Sequence, residues 1–208
     1  MIAGRWVPVA TVVLLQGCAA ALVGVAGSAA YMAIEDRRSS GTQIDDKELE
    51  LRAASRIEQR FGGKVHVNVN AFNRALLVTG EVPDEATRGE VEQIVKELPN
   101  VRGVTNDALV AEVSSLGART NDSAITTKVK GRLLDSKRVN PLHVKVVTEG
   151  AVVYLLGIVT DGEAEEAVEV ARTTGGVRKV VKLFEYCTTA DEMCRPRSKA
   201  PERTKPPA

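Results

Sequence analysis

Apolar and polar positions run through the same series of periods twice, over residues 45–110 and 121–186. A helical spacing comes first in each copy. Leu49, Ala53 and Ile57 recur at every fourth position after Asp45, and Ile125, Val129 and Leu133 do so after Asn121. Asp and Asn are favoured N-caps, so Asp45 and Asn121 are expected to open these helices. A period of two follows. Val65-His66-Val67-Asn68-Val69-Asn70 alternates as a half-buried strand does, and Leu142-His143-Val144-Lys145-Val146 is its twin. Phe72-Asn73-Arg74 and Thr148-Glu149-Gly150 read as turns. Return strands run from Ala75 to Val82 and from Val152 to Val159. Second helices are expected from about Asp84 to Glu97 and from Asp161 to Thr173, with the two aspartates as caps. Each copy closes on a Val-Arg strand, at Val101-Arg102 and Val177-Arg178.

The order is helix, strand, strand, helix, strand, twice. It predicts an α+β chain of two tandem domains, each with its helices packed on one face of a three-stranded sheet. About 65 residues per copy suffice for an independent core. Residues 111–120, with Ser114-Ser115-Leu116-Gly117, read as a linker short enough to let the domains touch. Gly80 and Gly157 sit at matching places in the return strands and read as bulges or close-approach points. Gly62-Gly63 and Gly175-Gly176 read as helix-end punctuation. His66 and His143 also match. Both alternate with core valines, so both are expected to face outward and to carry no function.

The start of the chain sets the compartment. No charge occurs between Arg5 and Glu35, and the apolar run after Arg5 has the layout of a secretory signal. It ends in Leu15-Gln16-Gly17-Cys18, which resembles a bacterial lipobox. The resemblance implies removal of a signal peptide, residues 1–17, and acylation of Cys18, with residues 18–44 as a stalk. Three acyl chains on one residue exceed the two-signal threshold for stable anchoring, at about 0.8 kcal/mol per buried CH₂. An uncleaved signal anchor is the alternative, since a span needs only about 20 apolar residues. Ala19 replaces the Asp that marks inner-membrane retention in enterobacterial lipoproteins, which leans toward the outer membrane.

Composition removes several function classes. Lys plus Arg is 28 against 27 for Asp plus Glu, a balance unlike a duplex-binding footprint. Three Phe, three Tyr and one Trp are too few for a base-stacking platform, so no nucleic-acid partner is expected. Two His and three Cys leave no His-rich metal set. No phosphate-binding loop, nucleophile elbow or zinc-protease motif occurs. The expectation is therefore a non-enzyme with no catalytic residue, cofactor or metal. Cys187 and Cys194, seven positions apart, form a plausible disulfide in an oxidising envelope; free thiols or an intermolecular link are the other readings. Residues 187–208 read as a Cys-containing, basic and Pro-rich tail without the means to form a core.

Asp122-Ser123-Ala124-Ile125-Thr126-Thr127-Lys128-Val129-Lys130 and the glycine after each second strand resemble the BON domain. With the lipobox and Gly41-Thr42-Gln43-Ile44-Asp45-Asp46, the chain resembles the DolP (YraP) family of dual BON-domain outer-membrane lipoproteins. The resemblance implies a lipid-anchored protein on the periplasmic face of the outer membrane that supports envelope integrity. It also implies that the first helix of the second domain contacts anionic phospholipid, phosphatidylglycerol or cardiolipin. At about 100° per residue, Leu134 lies directly opposite Ile125 on that helix, with Thr127 and Gly131 beside it and Lys130 and Lys137 on its flank. Thr127, Lys128, Lys130, Gly131, Leu134 and Lys137 are thus the candidate lipid-binding residues. Ala124 stands where relatives can place an aromatic, a departure that shifts the contact onto Leu134 and the lysines. The competing function is a protein adaptor for envelope machinery such as outer-membrane protein assembly, with lipid binding incidental.

Overall fold

The computed structural model describes residues 36–194. Cys18, the signal and stalk readings up to residue 35, and the tail beyond Cys194 lie outside the described residues. The first repeat consists of α1 (Ser40–Phe61), β1 (His66–Phe72), β2 (Ala75–Val82), α2 (Glu85–Lys96), β3 (Gly103–Asn106) and β4 (Leu109–Val110). The second consists of α3 (Leu116–Ser136), β5 (Val144–Glu149), β6 (Val152–Val159), α4 (Asp161–Arg172) and β7 (Lys179–Tyr186). Short 3₁₀ turns follow α1, precede β5 and close the described chain. In each sheet a central strand pairs antiparallel with the strand before it and parallel with the strand that closes the repeat. The first sheet gains β4, also parallel to β2, which the sequence pattern did not single out.

Both first helices begin earlier than expected. Ser39 caps α1 and Ser115 caps α3, each accepting the backbone N–H three residues on. Residues 116–120, read as linker, are the opening turn of α3. Asp45 and Asn121 are therefore not caps. At the second helices, Asp84 does cap α2, but Thr160 rather than Asp161 caps α4, in a reciprocal box with Glu163.

The aspartates next to the supposed caps have a different task. Asp46 and Asp122 are buried within their helices and reach the hairpin turn of their own repeat. Asp46 accepts the N–H groups of Asn73 and Arg74 at 2.8 and 2.6 Å, and Asp122 those of Gly150 and Ala151 at 2.9 and 2.8 Å. Both turns are two-residue loops with positive φ at both positions: 50° and 63° in the first, 54° and 61° in the second. That geometry suits the twist of a hairpin but costs a non-glycine residue about 1 kcal/mol or more. A carboxylate held by two N–H groups offsets the cost and staples helix to hairpin.

Alternation then sorts the side chains. In the second repeat, Val153, Leu155 and Val159 of β6 join Ile125, Val129, Leu133, Ala167 and Ala171 in the core under the helices. In the first, Leu76, Val78 and Val82 meet Leu49, Ala53, Ile57, Val91 and Val95. The opposite sheet faces are apolar too, and they meet each other. Phe72 and Leu77 pack with Tyr154, Leu156, Ile158 and Cys194 in a third cluster that crosses between the repeats. The layer order is helix, sheet, sheet, helix. Polar contacts border this seam. Tyr154 donates its hydroxyl to Asp107 at 2.6 Å, and burial together with that carboxylate holds the phenol protonated far above its usual range. Lys145 meets Glu50 at 2.5 Å, and Asn73 and Arg102 converge on Glu185. Arg37 and Arg38 straddle the seam. Arg37 binds the Ile158 carbonyl and Glu163 of the second repeat, while Arg38 binds Asp46 and lies 4.2 Å over the Phe72 ring of the first.

Cys187 and Cys194 form a disulfide, with Cα atoms 6.2 Å apart. Cys194 is buried in the seam, so residues 187–194 belong to the fold rather than to a formless tail.

Replacing Asp122 by Ala leaves two backbone N–H groups of a strained turn without their acceptor. Urea unfolding should show a loss of about 2–4 kcal/mol.

Candidate functional site

The outer surface of α3 is the candidate site. Ile125, Val129 and Leu133 are fully buried against the second sheet, which fixes the rotation of the helix. Thr127, Lys128, Lys130, Gly131, Leu134 and Lys137 all lie on its exposed part. Leu134 is 65% exposed, so it packs on neither the other repeat nor the connector. Lys137 ends the helix in the left-handed conformation, φ 55°, so its position follows from the cap and not from the helical wheel.

Because α3 starts at Leu116, the face is longer than the sequence suggested. Leu116 is 78% exposed and precedes Leu134 by eighteen residues, five whole turns. The two leucines therefore sit on one side, about 27 Å apart at about 1.5 Å per residue. Thr120, Ser123 and Thr127 lie between them. Each hydroxyl donates back to the carbonyl four residues earlier: Leu116, Arg119 and Ser123 at 2.9, 3.1 and 2.9 Å. These hydroxyls are already hydrogen-bonded, which lowers the cost of bringing them into a medium poorer in water. Ala124 and Gly131 continue the small-residue surface, while Lys128 and Lys130 stand on its two flanks. Leu116 was missed because residues 111–120 read as linker; the signal that would have found it is Ser115 as an N-cap.

The two histidines do not face solvent. Gly80 and Gly157 bring the strands so close that a Cβ at either would collide with the carbonyl oxygen of His66 or His143. Each imidazole then lies beside a carboxylate: His66 Nδ1 is 2.8 Å from Glu81 Oε2, and His143 Nδ1 is 3.1 Å from Glu163 Oε1. Alternation placed both rings away from the helix-side cores correctly. It could not show that a second layer covers that face. Glu163, in the first turn of α4, is a junction of Thr160, His143 and Arg37. Burial pushes its carboxyl upward. Hydrogen bonds from His143, Arg37 and the Thr160 N–H, with the Arg37 charge, outweigh burial and hold it well below the usual carboxylate range.

With this geometry in view, the relatives decide the family. The BON domain model matches residues 45–112 and 121–188. The chain is 36% identical over 176 residues to the outer membrane lipoprotein DolP of Haemophilus influenzae, covering 84% of this chain and 91% of that one. The chain belongs to the DolP family of dual BON-domain proteins. It is also 34% identical to a 21 kDa hemolysin of Actinobacillus pleuropneumoniae, over 73% of this chain and 79% of that one. Osmotically-inducible protein Y of Escherichia coli is 26% identical, over 67% and 72% respectively. Membership makes this an outer-membrane-associated BON protein of a family named for lipoproteins and not for a catalytic activity. Among the described residues, no helix is long and apolar enough to cross a membrane.

Glu163→Gln should cost about 1–2 kcal/mol at pH 7, allowing for screening at a half-buried site. A carboxyl whose folded pKa is depressed stabilises the fold above its unfolded pKa and ceases to do so as the pH falls toward the folded value. The stability difference between wild type and variant should therefore shrink below about pH 4.3, as followed by chemical denaturation across pH.

Proposed function

We propose that this protein is tethered by acylated Cys18 to the periplasmic face of the outer membrane and binds anionic phospholipid through α3, in support of envelope integrity. The observation that carries the reading is the exposed line from Leu116 to Leu134, with internally bonded hydroxyls between and lysines on both flanks. A helix of this kind lies flat in the headgroup region, its apolar ends dipping and its cations meeting phosphate. Each lysine near an anionic surface contributes about 1 kcal/mol. A leucine that leaves water contributes about 1.5–3 kcal/mol when fully buried. The headgroups that suit this chemistry are phosphatidylglycerol and cardiolipin.

The adaptor reading has one observation in its favour. Among the described residues, β7 pairs on one side only, leaving an eight-residue sheet edge. Exposed Lys179 and Lys182 blunt that edge, as charges on natural edge strands do. Site-specific crosslinking from β7 in cells separates the readings: one dominant protein adduct that persists in a lipid-blind variant favours the adaptor.

Co-sedimentation with phosphatidylglycerol or cardiolipin vesicles tests the lipid reading. Leu134→Asp, Leu116→Asp and Lys130→Glu should each weaken binding about tenfold, equivalent to roughly 1.4 kcal/mol, with circular dichroism unchanged. Undiminished binding in all three removes α3 from the mechanism. The reverse change is equally informative. Ala124→Trp adds a ring suited to headgroup depth and should tighten vesicle binding about tenfold.

A further inference from the structure

The matched histidines His66 and His143 each meet a carboxylate, but from different elements, Glu81 of β2 and Glu163 of α4, and with different third partners. In the second repeat, Glu163 receives the guanidinium of Arg37 in addition to His143. In the first repeat, the third group beside His66 and Glu81 is another carboxylate, Glu149, delivered across the seam from the end of β5. Among the described residues, the first cluster gathers two carboxylates where the second gathers one carboxylate and a guanidinium. Arg119 lines the adjoining cavity, but its guanidinium is hydrogen-bonded to the hydroxyl and carbonyl of Ser114.

We propose that this seam binds a divalent transition-metal ion of the zinc class through His66, Glu81 and Glu149. One imidazole nitrogen and one oxygen from each carboxylate lie within 4.8 Å of one another. Tetrahedral bonds of about 2.0–2.2 Å place ligand atoms about 3.3–3.6 Å apart, so a closure of about 1 Å by side-chain rotation completes the set. The donors are chemically suited: a neutral imidazole with two carboxylates is a borderline N/O set for a first-row divalent ion.

The ligands are also held by neighbours. His66 and Glu81 are cross-strand partners in the β1–β2 register. Asn68 donates to Glu149 at 2.9 Å, and the Ser114 N–H donates to Glu81 at 3.2 Å. Such outer contacts orient metal ligands. Thr79, on the same face of β2 and two residues before Glu81, is fully buried with its hydroxyl unpartnered among the described residues. A cavity of about 260 Å³ opens beside the cluster, lined by His66, Asn68, Asp122 and Glu149 among others. It leaves room for water to fill the remaining coordination positions. Two ligands come from the first repeat and one from the second, so the ion would tie the repeats together.

The test uses the full, untagged chain in detergent, stripped with chelator and dialysed against Zn²⁺. The wild type should retain one equivalent, and its Tm should rise by about 5 °C or more at saturation. His66→Asn and Glu149→Gln should each weaken Zn²⁺ binding by about 100-fold or more, at or beyond the upper end of the loss seen for outer-sphere partners, while His143→Asn leaves it unchanged. The chain has two histidines, so imidazole NMR gives a reading free of variants: Zn²⁺ should shift His66 and leave His143 in place. No retained ion, binding undiminished in both His66→Asn and Glu149→Gln, or a shift confined to His143 would overturn the proposal.

Discussion

Burial of the two open sheet faces against each other is the constraint on which the rest of this structure depends. Each repeat could form a two-layer fold alone, but its sheet would then expose an apolar surface. Phe72, Leu77, Tyr154, Leu156 and Ile158 are each at most 4% exposed because the other repeat covers them. Fully burying such side chains contributes about 1.5–3 kcal/mol apiece, an upper estimate that still exceeds a typical polar contact. The connector between β4 and α3 is short, so most of the entropy of bringing the repeats together is already lost by covalent linkage. The repeats therefore make one unit, and the outer face of α3 is held at a fixed orientation to everything else.

That constraint also separates what the sequence displayed from what it concealed. Period-two alternation identified β1 and β5, because a strand with one face on a helix layer shows it in every second residue. The same alternation is blind to what covers the other face. It could not distinguish solvent from a second sheet, and the seam histidines were misread for that reason. Helix starts were misjudged because Asp45, Asp46, Asn121 and Asp122 have cap chemistry wherever they stand. Asp46 and Asp122 instead act across space on a turn more than twenty residues away. On the candidate site, the rotation of α3 was legible from Ile125, Val129 and Leu133, and with it the exposure of Leu134. Its length was not, and Leu116 with it.

Duplication kept one device and let another diverge. The Asp-to-hairpin staple is the same in both repeats, down to left-handed residues at both turn positions. That is expected of a local solution that every copy of the fold needs. A histidine beside a carboxylate recurs too, but the carboxylate comes from α4 in the second repeat and from β2 in the first, and the third partner is a guanidinium on one side and a carboxylate on the other. Partners of the second kind are set by how the repeats and the entering chain meet, not by the repeat itself. The disulfide, present only after β7, belongs to the same class, since Cys194 closes the seam and not the core under the helices.

In the proposed lipid reading, the apolar residues on α3 would make a contact that is weak by design of the surface. Two leucines and a few lysines give a gross attraction of several kcal/mol at most, below what stable membrane residence requires. Acyl chains at Cys18, in the proposed arrangement, would supply residence, so the helix would need only to discriminate among headgroups it already meets at high local concentration. Modest affinity would then serve recognition, because the proposed binding could reverse as the composition of the leaflet changes. The fused repeats matter here as well. With the two sheets packed on each other, the proposed headgroup contact at α3 would orient the whole two-sheet body against the membrane.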